Sequence, residues 1–135
     1  MANYYTEFSI LVECHNKEQQ DWLIQHLREE EEDGGFYAEE QRDDVWITGE
    51  SGDLDILLDV IAEFQRTFSI TEAQIITWSN TCSRPMVDAF GGGAAVVYRG
   101  EYVTIDCFEW ANDLARRWQA GCDVTPFKLF SKWDN

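Results

Sequence analysis

Residues 51–68 read SGDLDILLDVIAEFQRTF. Ser51, Gly52 and Asp53 offer a helix start, after which Leu54, Leu57, Leu58, Ile61, Phe64 and Phe68 recur at i, i+3, i+4, i+7, i+10 and i+14. That spacing is one apolar face of an amphipathic helix, and such a face needs a surface to cover. The flanking sequence supplies it. Upstream, Phe36 to Glu39 and Val45 to Thr48 read as a hairpin around the polar turn Gln41-Arg42-Asp43-Asp44. Before it, Asn16 with Gln19 three residues on caps a helix in which Leu23, Ile24 and Leu27 are periodic up to Arg28, stopped by Gly34 and Gly35. Earlier still, Phe8, Ile10 and Val12 alternate within Thr6 to Val12, the period of a half-buried strand. Downstream, Ala73 to Trp78 reads as a fourth strand.

The order strand, helix, strand, strand, helix, strand is the ferredoxin-like split βαβ arrangement. The expected class is α+β: a ferredoxin-like βαββαβ core with one antiparallel sheet and two helices on one face, extended by a C-terminal β-hairpin and helix. The hairpin is Ala94 to Tyr98 and Tyr102 to Ile105 around Arg99-Gly100. The helix opens on the capping pair Asp106 and Glu109 and carries the stripe Phe108, Ala111, Leu114, Ala115 and Trp118, which is expected to cover part of the open sheet face. A chain of 135 residues has room for one core. Residues 1–122 are read as a single domain, and 123–135, with Phe127, Leu129, Phe130 and Trp133, as an aromatic tail packed on it.

A hydrophobic content of 44% with six Trp, five Tyr and eight Phe excludes a disordered acidic polymer. The net charge of -16 excludes direct binding to nucleic acid or to anionic membrane, because the surface repels phosphate. The start, Met-Ala-Asn-Tyr-Tyr-Thr-Glu, has no signal-peptide pattern, so the expected location is cytoplasmic. Cys14, Cys82, Cys107 and Cys122 form no C-x-x-C pair and are expected to be reduced and mostly buried. No cofactor and no metal are expected, since the 29–44 carboxylates lack any recognised Ca²⁺-loop spacing.

The acidity is not evenly spread. Residues 1–68 hold 18 acids against four bases, a net of -14, whereas residues 69–135 hold eight against six, a net of -2. Nine acids fall within residues 29–44: Glu29, Glu30, Glu31, Glu32, Asp33, Glu39, Glu40, Asp43 and Asp44, with Arg42 the lone base. Glu29 to Asp33 sits at the C-terminal end of helix one, where the dipole is already negative and each exposed anion costs about 0.3–1 kcal/mol. Five successive helical acids place a charge every ~1.5 Å of axis, near the ~1.7 Å per phosphate of duplex DNA. These nine residues are therefore the candidate surface of an acidic inhibitor that binds the basic groove of a nucleic-acid-handling protein. The competing reading ends helix one near Arg28 and leaves a solvated loop serving solubility.

A second feature is the long connection Trp78 to Ala94, rich in hydrogen-bonding side chains and closed by Gly91, Gly92 and Gly93. It carries no P-loop lysine and no G-x-G-x-x-G spacing. The glycines are expected to permit positive φ or close strand packing, with Asn80, Thr81 and Ser83 bonding to loop backbone. The residues Trp78, Asn80, Thr81, Cys82, Ser83, Arg84, Gly91, Gly92 and Gly93 define the alternative function, a small-molecule-binding regulatory ferredoxin-like domain. A Cys82-dependent enzyme is the third reading, and it needs His15 or His26 within hydrogen-bond reach. The preferred reading is not an enzyme. Trp46, Trp110 and Trp118 read as core or edge packing, and the oligomeric state stays open between monomer and dimer.

In Trp78, Asn80 to Ser83, Arg84, Pro85 and Phe90 to Ala94, the chain resembles an uncharacterised group of small acidic phage and plasmid-type bacterial proteins with a W-x-N-T-C-S-[KR]-P…F-G-G-G-A segment. The resemblance covers that segment and its flanking strands, and carries no catalytic residue with it. It implies a mobile-element origin, a setting in which acidic anti-CRISPR and anti-restriction inhibitors recur.

Overall fold

The computed structural model describes residues 4–50, 52–84 and 90–125. Strand β1 (Tyr4–Val12) leads into helix α1 (Lys17–Gly34) through Asn16. The Asn16 side chain accepts the Gln19 N–H at 2.9 Å, and Gln19 Oε1 accepts the His15 N–H at 2.9 Å, so the first turn is closed from both sides. The helix does not stop near Arg28. It continues through the whole acidic run to Gly34 and ends at Gly35, whose left-handed φ of 65° lets its N–H return to the Glu31 carbonyl at 3.0 Å. The capping chemistry at 34–35 thus overrides the loss of apolar periodicity after Leu27.

Strands β2 (Phe36–Gln41) and β3 (Asp44–Gly49) form the expected hairpin with a tighter turn, since Gln41 already pairs with Asp44. Helix α2 (Leu54–Thr67) is capped by Asp53, which accepts the N–H groups of Asp55 and Ile56 at 3.0 and 3.3 Å. Strand β4 (Gln74–Cys82) runs four residues beyond Trp78, and β5 (Gly91–Tyr98) starts at the first glycine, with Asn80 pairing to Gly91. Most of the expected long connection is therefore ladder. Strand β6 (Glu101–Asp106) passes directly into helix α3 (Cys107–Gln119), Asp106 being both the last strand residue and the N-cap.

The sheet has six antiparallel strands in the order β2-β3-β1-β4-β5-β6. This is an α+β fold, but its order differs from that of a four-stranded ferredoxin-like sheet, because β5 pairs along β4 and β6 along β5 instead of forming a separate appendage. Along β1 the neighbours change: Tyr4–Glu7 pair with β4, and Phe8–Val12 pair with β3. Beyond the last β1–β4 pair a cleft of ≈ 270 Å³ opens, lined among others by Leu11, Ile61, Phe64, Ile70 and Glu72.

One face of the sheet carries the core. Phe8, Ile10 and Val12 of β1, Val45 and Ile47 of β3, Ile76 of β4 and Ala95 and Val97 of β5 are buried with Leu23 and Leu27 of α1 and Leu57, Leu58, Ile61 and Phe64 of α2. A buried amide fastens α2 to the β5–β6 hairpin. Gln65 donates to the Val97 and Glu72 carbonyls at 2.9 and 3.3 Å, and its Oε1 accepts the Gly100 N–H at 3.0 Å.

Helix α3 does not close the other face. None of its side chains is buried among the described residues, Phe108 and Trp118 are exposed, and Ile75, Val96, Val103 and Ile105 remain exposed on the sheet. The helix follows β6 without a linker, and its main contacts reach back only as far as β5. The thiol expectation changes with it. All four cysteines are free, but only Cys14 is buried, Cys82 is half-buried, and Cys107, which opens α3, and Cys122, just past its end, are exposed. Among the described residues no helix is long and apolar enough to cross a membrane. Ser51, Pro85, Asp88 and the aromatic tail residues Phe127 to Trp133 lie outside the described residues.

Candidate functional site

The C-terminal end of α1 meets the start of α2, and the Asp53 N–H donates to the Gly34 carbonyl at 2.6 Å. The negative pole of one helix is thereby set against the positive pole of the next, which offsets the dipole penalty expected for Glu29 to Asp33. Asp33, Asp53 and Asp55 line one shallow hollow at this junction, and Glu31, Glu32, Tyr37 and Glu50 line another beside it. Glu50, Asp53 and Asp55 belong to the acidic end of the molecule but not to the sequence-derived set. Their signal was an N-cap followed by an acid in the first turn, which reads as helix chemistry until the two helix ends are known to abut.

The nine sequence-derived acids are spread along one flank and do not form a single compact patch. From Lys17 to Asp33 α1 rises about 24 Å, and β2 runs back beside it. Glu29, Glu30, Glu31, Glu32 and Asp33 therefore lie at one end of the flank. Asp43 and Asp44 lie at the other, where the Gln20 amide bonds the Arg42 and Asp44 carbonyls at 2.9 and 3.0 Å. Glu40 sits between, within 3.6 Å of the Lys17 ammonium, and shares a hollow with Asp21, Arg28 and Glu29. Glu39 points the other way, onto the open sheet face, in register with Trp46 and next to exposed Tyr37.

Three of the nine have structural duties. Glu31 Oε1 accepts the Ala38 N–H of β2 at 3.1 Å, and Asp44 Oδ1 accepts the Cys14 N–H at 3.0 Å. Glu40 shares Lys17 with Asp21, whose hydrogen bond is the main cause holding that ammonium above its usual pKa. Glu32, Asp33, Glu39 and Asp43 are exposed. Trp46 is exposed on the open sheet face beside Glu39, its indole N–H donating to Ser9 Oγ at 2.8 Å, and with Leu11 and Tyr37 it puts apolar surface next to that acid.

The glycine segment has a packing role. A Cβ on Gly93 would fall 2.2 Å from the Ile105 carbonyl oxygen and 2.5 Å from the Trp78 ring, so its absence lets β5 lie between β6 and that indole. Among the described residues Asn80 bonds across the sheet: its Oδ1 accepts the Thr6 hydroxyl across the β1–β4 pair at 3.2 Å. Thr81 and Cys82 extend β4, Ser83 and Arg84 follow it, and Gly91 and Gly92 begin β5.

The structure does not bring Cys82 together with a histidine. Cys82 pairs with Tyr4 at one end of β4, whereas His15 contacts Glu72, which precedes the other end, at 3.2 Å. His26 is stacked on Trp22 with ring centroids 3.7 Å apart, and its Nδ1 lies 2.8 Å from the Trp22 carbonyl oxygen. Among the described residues no group of three or more His, Cys, Asp or Glu is arranged to hold a metal ion.

No family model, curated protein or solved structure matches this chain. The functional reading therefore stands on the geometry of the acidic flank.

The thiols supply a direct check on the packing. Burial first, and Asp44 second, push Cys14 from its usual 9.0 up to about 11. Iodoacetamide at mildly alkaline pH should label Cys107 and Cys122 quickly, Cys82 more slowly, and Cys14 only on unfolding; peptide mapping that finds Cys14 modified in the native protein would refute this order. Because the folded state holds the Cys14 proton more tightly than the unfolded chain, this group's stabilisation is complete below pH 9.0 and is lost as pH rises through about 11. The Cys14→Ala variant should lose that alkaline component of the denaturation curve.

Proposed function

We propose that this chain is a non-enzymatic, cytoplasmic interaction protein, needing no cofactor, whose acidic flank occupies a basic nucleic-acid-binding groove of a partner and so excludes the natural polyanion. The observation that carries the reading is the line of exposed carboxylates along α1 and the β2–β3 hairpin, set beside Tyr37 and Trp46. A groove built for phosphate selects charges distributed over a length comparable to this helix, while exposed aromatic side chains supply desolvated anchors. The scaffold is proposed as ferredoxin-like: its first four strands lie in the order β2-β3-β1-β4 with α1 and α2 covering one face, and β5, β6 and α3 are additions. The resemblance of the Trp78 to Ala94 segment to phage and plasmid-type proteins suits an anti-CRISPR or anti-restriction inhibitor.

The test uses the four exposed acids to which no structural duty is assigned. Glu32→Gln, Asp33→Asn, Glu39→Gln and Asp43→Asn together should leave the circular dichroism unchanged. They should weaken capture of a nucleic-acid-binding partner from source-cell extract by about 10–100-fold, at roughly 0.3–0.7 kcal/mol per charge. Duplex DNA or raised salt should release the captured protein from the wild type. Equal capture by the variant, or release by neither competitor, would dismiss the mimicry reading.

A further inference from the structure

The two edges of the sheet are treated differently by the sequence. At the β2 edge, the Glu31 carboxylate occupies the Ala38 N–H, and Glu39 and Glu40 place like charges along the strand. An incoming strand there meets a filled donor and repulsion, the usual means by which proteins blunt an edge. At the β6 edge no such filled donor is present among the described residues, and the two acids, Glu101 and Asp106, stand at the ends of the strand and leave its middle uncharged. Its sequence, Glu101-Tyr-Val-Thr-Ile-Asp106, is rich in β-branched and aromatic residues without proline or lysine, and among the described residues no strand pairs with its outer side. Its inner side is fixed, with Tyr102 donating to Asp59 of α2 at 2.9 Å.

The open face behind that edge is apolar and in register. Ile75, Val96 and Val103 lie opposite one another across β4, β5 and β6 and are 63%, 44% and 72% exposed, and Ile105 is 53% exposed on the same side. Charge decides what such a surface can meet. The nine acids of residues 29–44 lie along α1 and the β2–β3 hairpin, so two copies of this chain repel most strongly through that side of the sheet, opposite to β6. β2 and β6 are the outermost strands, about 24 Å apart at the usual strand spacing. A contact at β6 therefore keeps the two acidic flanks as far apart as the sheet allows.

We propose that the outer edge of β6 pairs antiparallel with β6 of a second copy, giving a two-fold dimer with a continuous twelve-stranded sheet. Antiparallel pairing of a strand with itself is self-complementary about a two-fold axis. Centred on Thr104, it sets Val103 opposite Ile105 of the second copy, Tyr102 opposite Asp106, and leaves Glu101 beyond the six-residue strand. The apolar row Ile75, Val96, Val103 then continues across the axis, and the acidic flanks remain at the two free ends.

Light scattering over a dilution series of the full chain tests this. The wild type should show twice the 15.7 kDa chain mass, with the dimer fraction rising as salt is added, because screening removes repulsion between two copies of charge -16. Val103→Lys with Ile105→Lys puts like charges opposite each other across the axis and should return the mass to one chain with unchanged circular dichroism. If the double variant loses its fold, the single Val103→Lys, at the more exposed position, makes the same test. A wild type of one-chain mass at every concentration and salt, as when the chain's own C-terminal residues cover this face, overturns the proposal. So does a dimer that survives the lysine variants.

Discussion

Gly93→Ala should destabilise the protein by about 3 kcal/mol or more, the upper range for forcing volume into a filled space. The added Cβ would sit 2.2 Å from the Ile105 carbonyl oxygen, and backbone cannot swing aside as a side chain can. Relief requires β5 to move from β6 or from the Trp78 indole, and either shift breaks ladder hydrogen bonds. Gly91→Ala is the matched control: the same chemistry two residues earlier, where a Cβ meets nothing within 4 Å, should change stability by less than about 0.5 kcal/mol. Urea unfolding followed by tryptophan fluorescence distinguishes the two. Equal midpoints for both variants would mean that the Trp78 contact is not part of the folded ensemble.

The second large effect is expected at Gln65→Leu. The side chain is nearly the same size and stays apolar along its stem, yet it abandons the Val97 and Glu72 carbonyls and the Gly100 N–H. Leaving buried groups of this kind without partners costs about 1–3 kcal/mol each, so for three of them a loss of about 3 kcal/mol or more is expected. Because Arg66 also donates to the Gly100 carbonyl, the turn at Arg99-Gly100 should loosen before the rest of the molecule. Urea midpoints measured for wild type and Gln65→Leu report the size of the effect. A midpoint unchanged by the substitution would show that the amide is dispensable.

What the sequence discloses and what it hides follow one physical line. The α2 stripe, the Asn16, Asp53 and Asp106 caps and the alternation of Phe8, Ile10 and Val12 are local patterns, and each element appears where its pattern lies. Strand limits at 78–94 were not legible, because glycine carries no β signal of its own and Gly91 to Gly93 are strand only by virtue of the ladder beside them. The α3 stripe predicts burial by periodicity, but burial depends on the surface the helix meets, and α3 packs chiefly on β5 and β6 among the described elements. For the acidic flank, sequence located the charges and their cost against the helix dipole, but not what offsets it. The abutment of Gly34 with Asp53, and the Glu31 bond to Ala38, are long-range facts that no window of the chain contains.

The change of neighbours along β1 has a dynamic consequence. Among the described residues, the sheet joins the acidic hairpin to the β4–β5–β6 side through this strand, whose Tyr4–Glu7 pair with β4 and Phe8–Val12 with β3, while Thr6 also donates to the Glu50 carbonyl just past β3. Such a strap lets the two sides breathe separately. Deuterium should enter the β2–β3 amides and the β5–β6 amides with different opening free energies, while the amides of β1, which belongs to both, should divide between the two, with Thr6 following the β3 side on which its N–H is bonded.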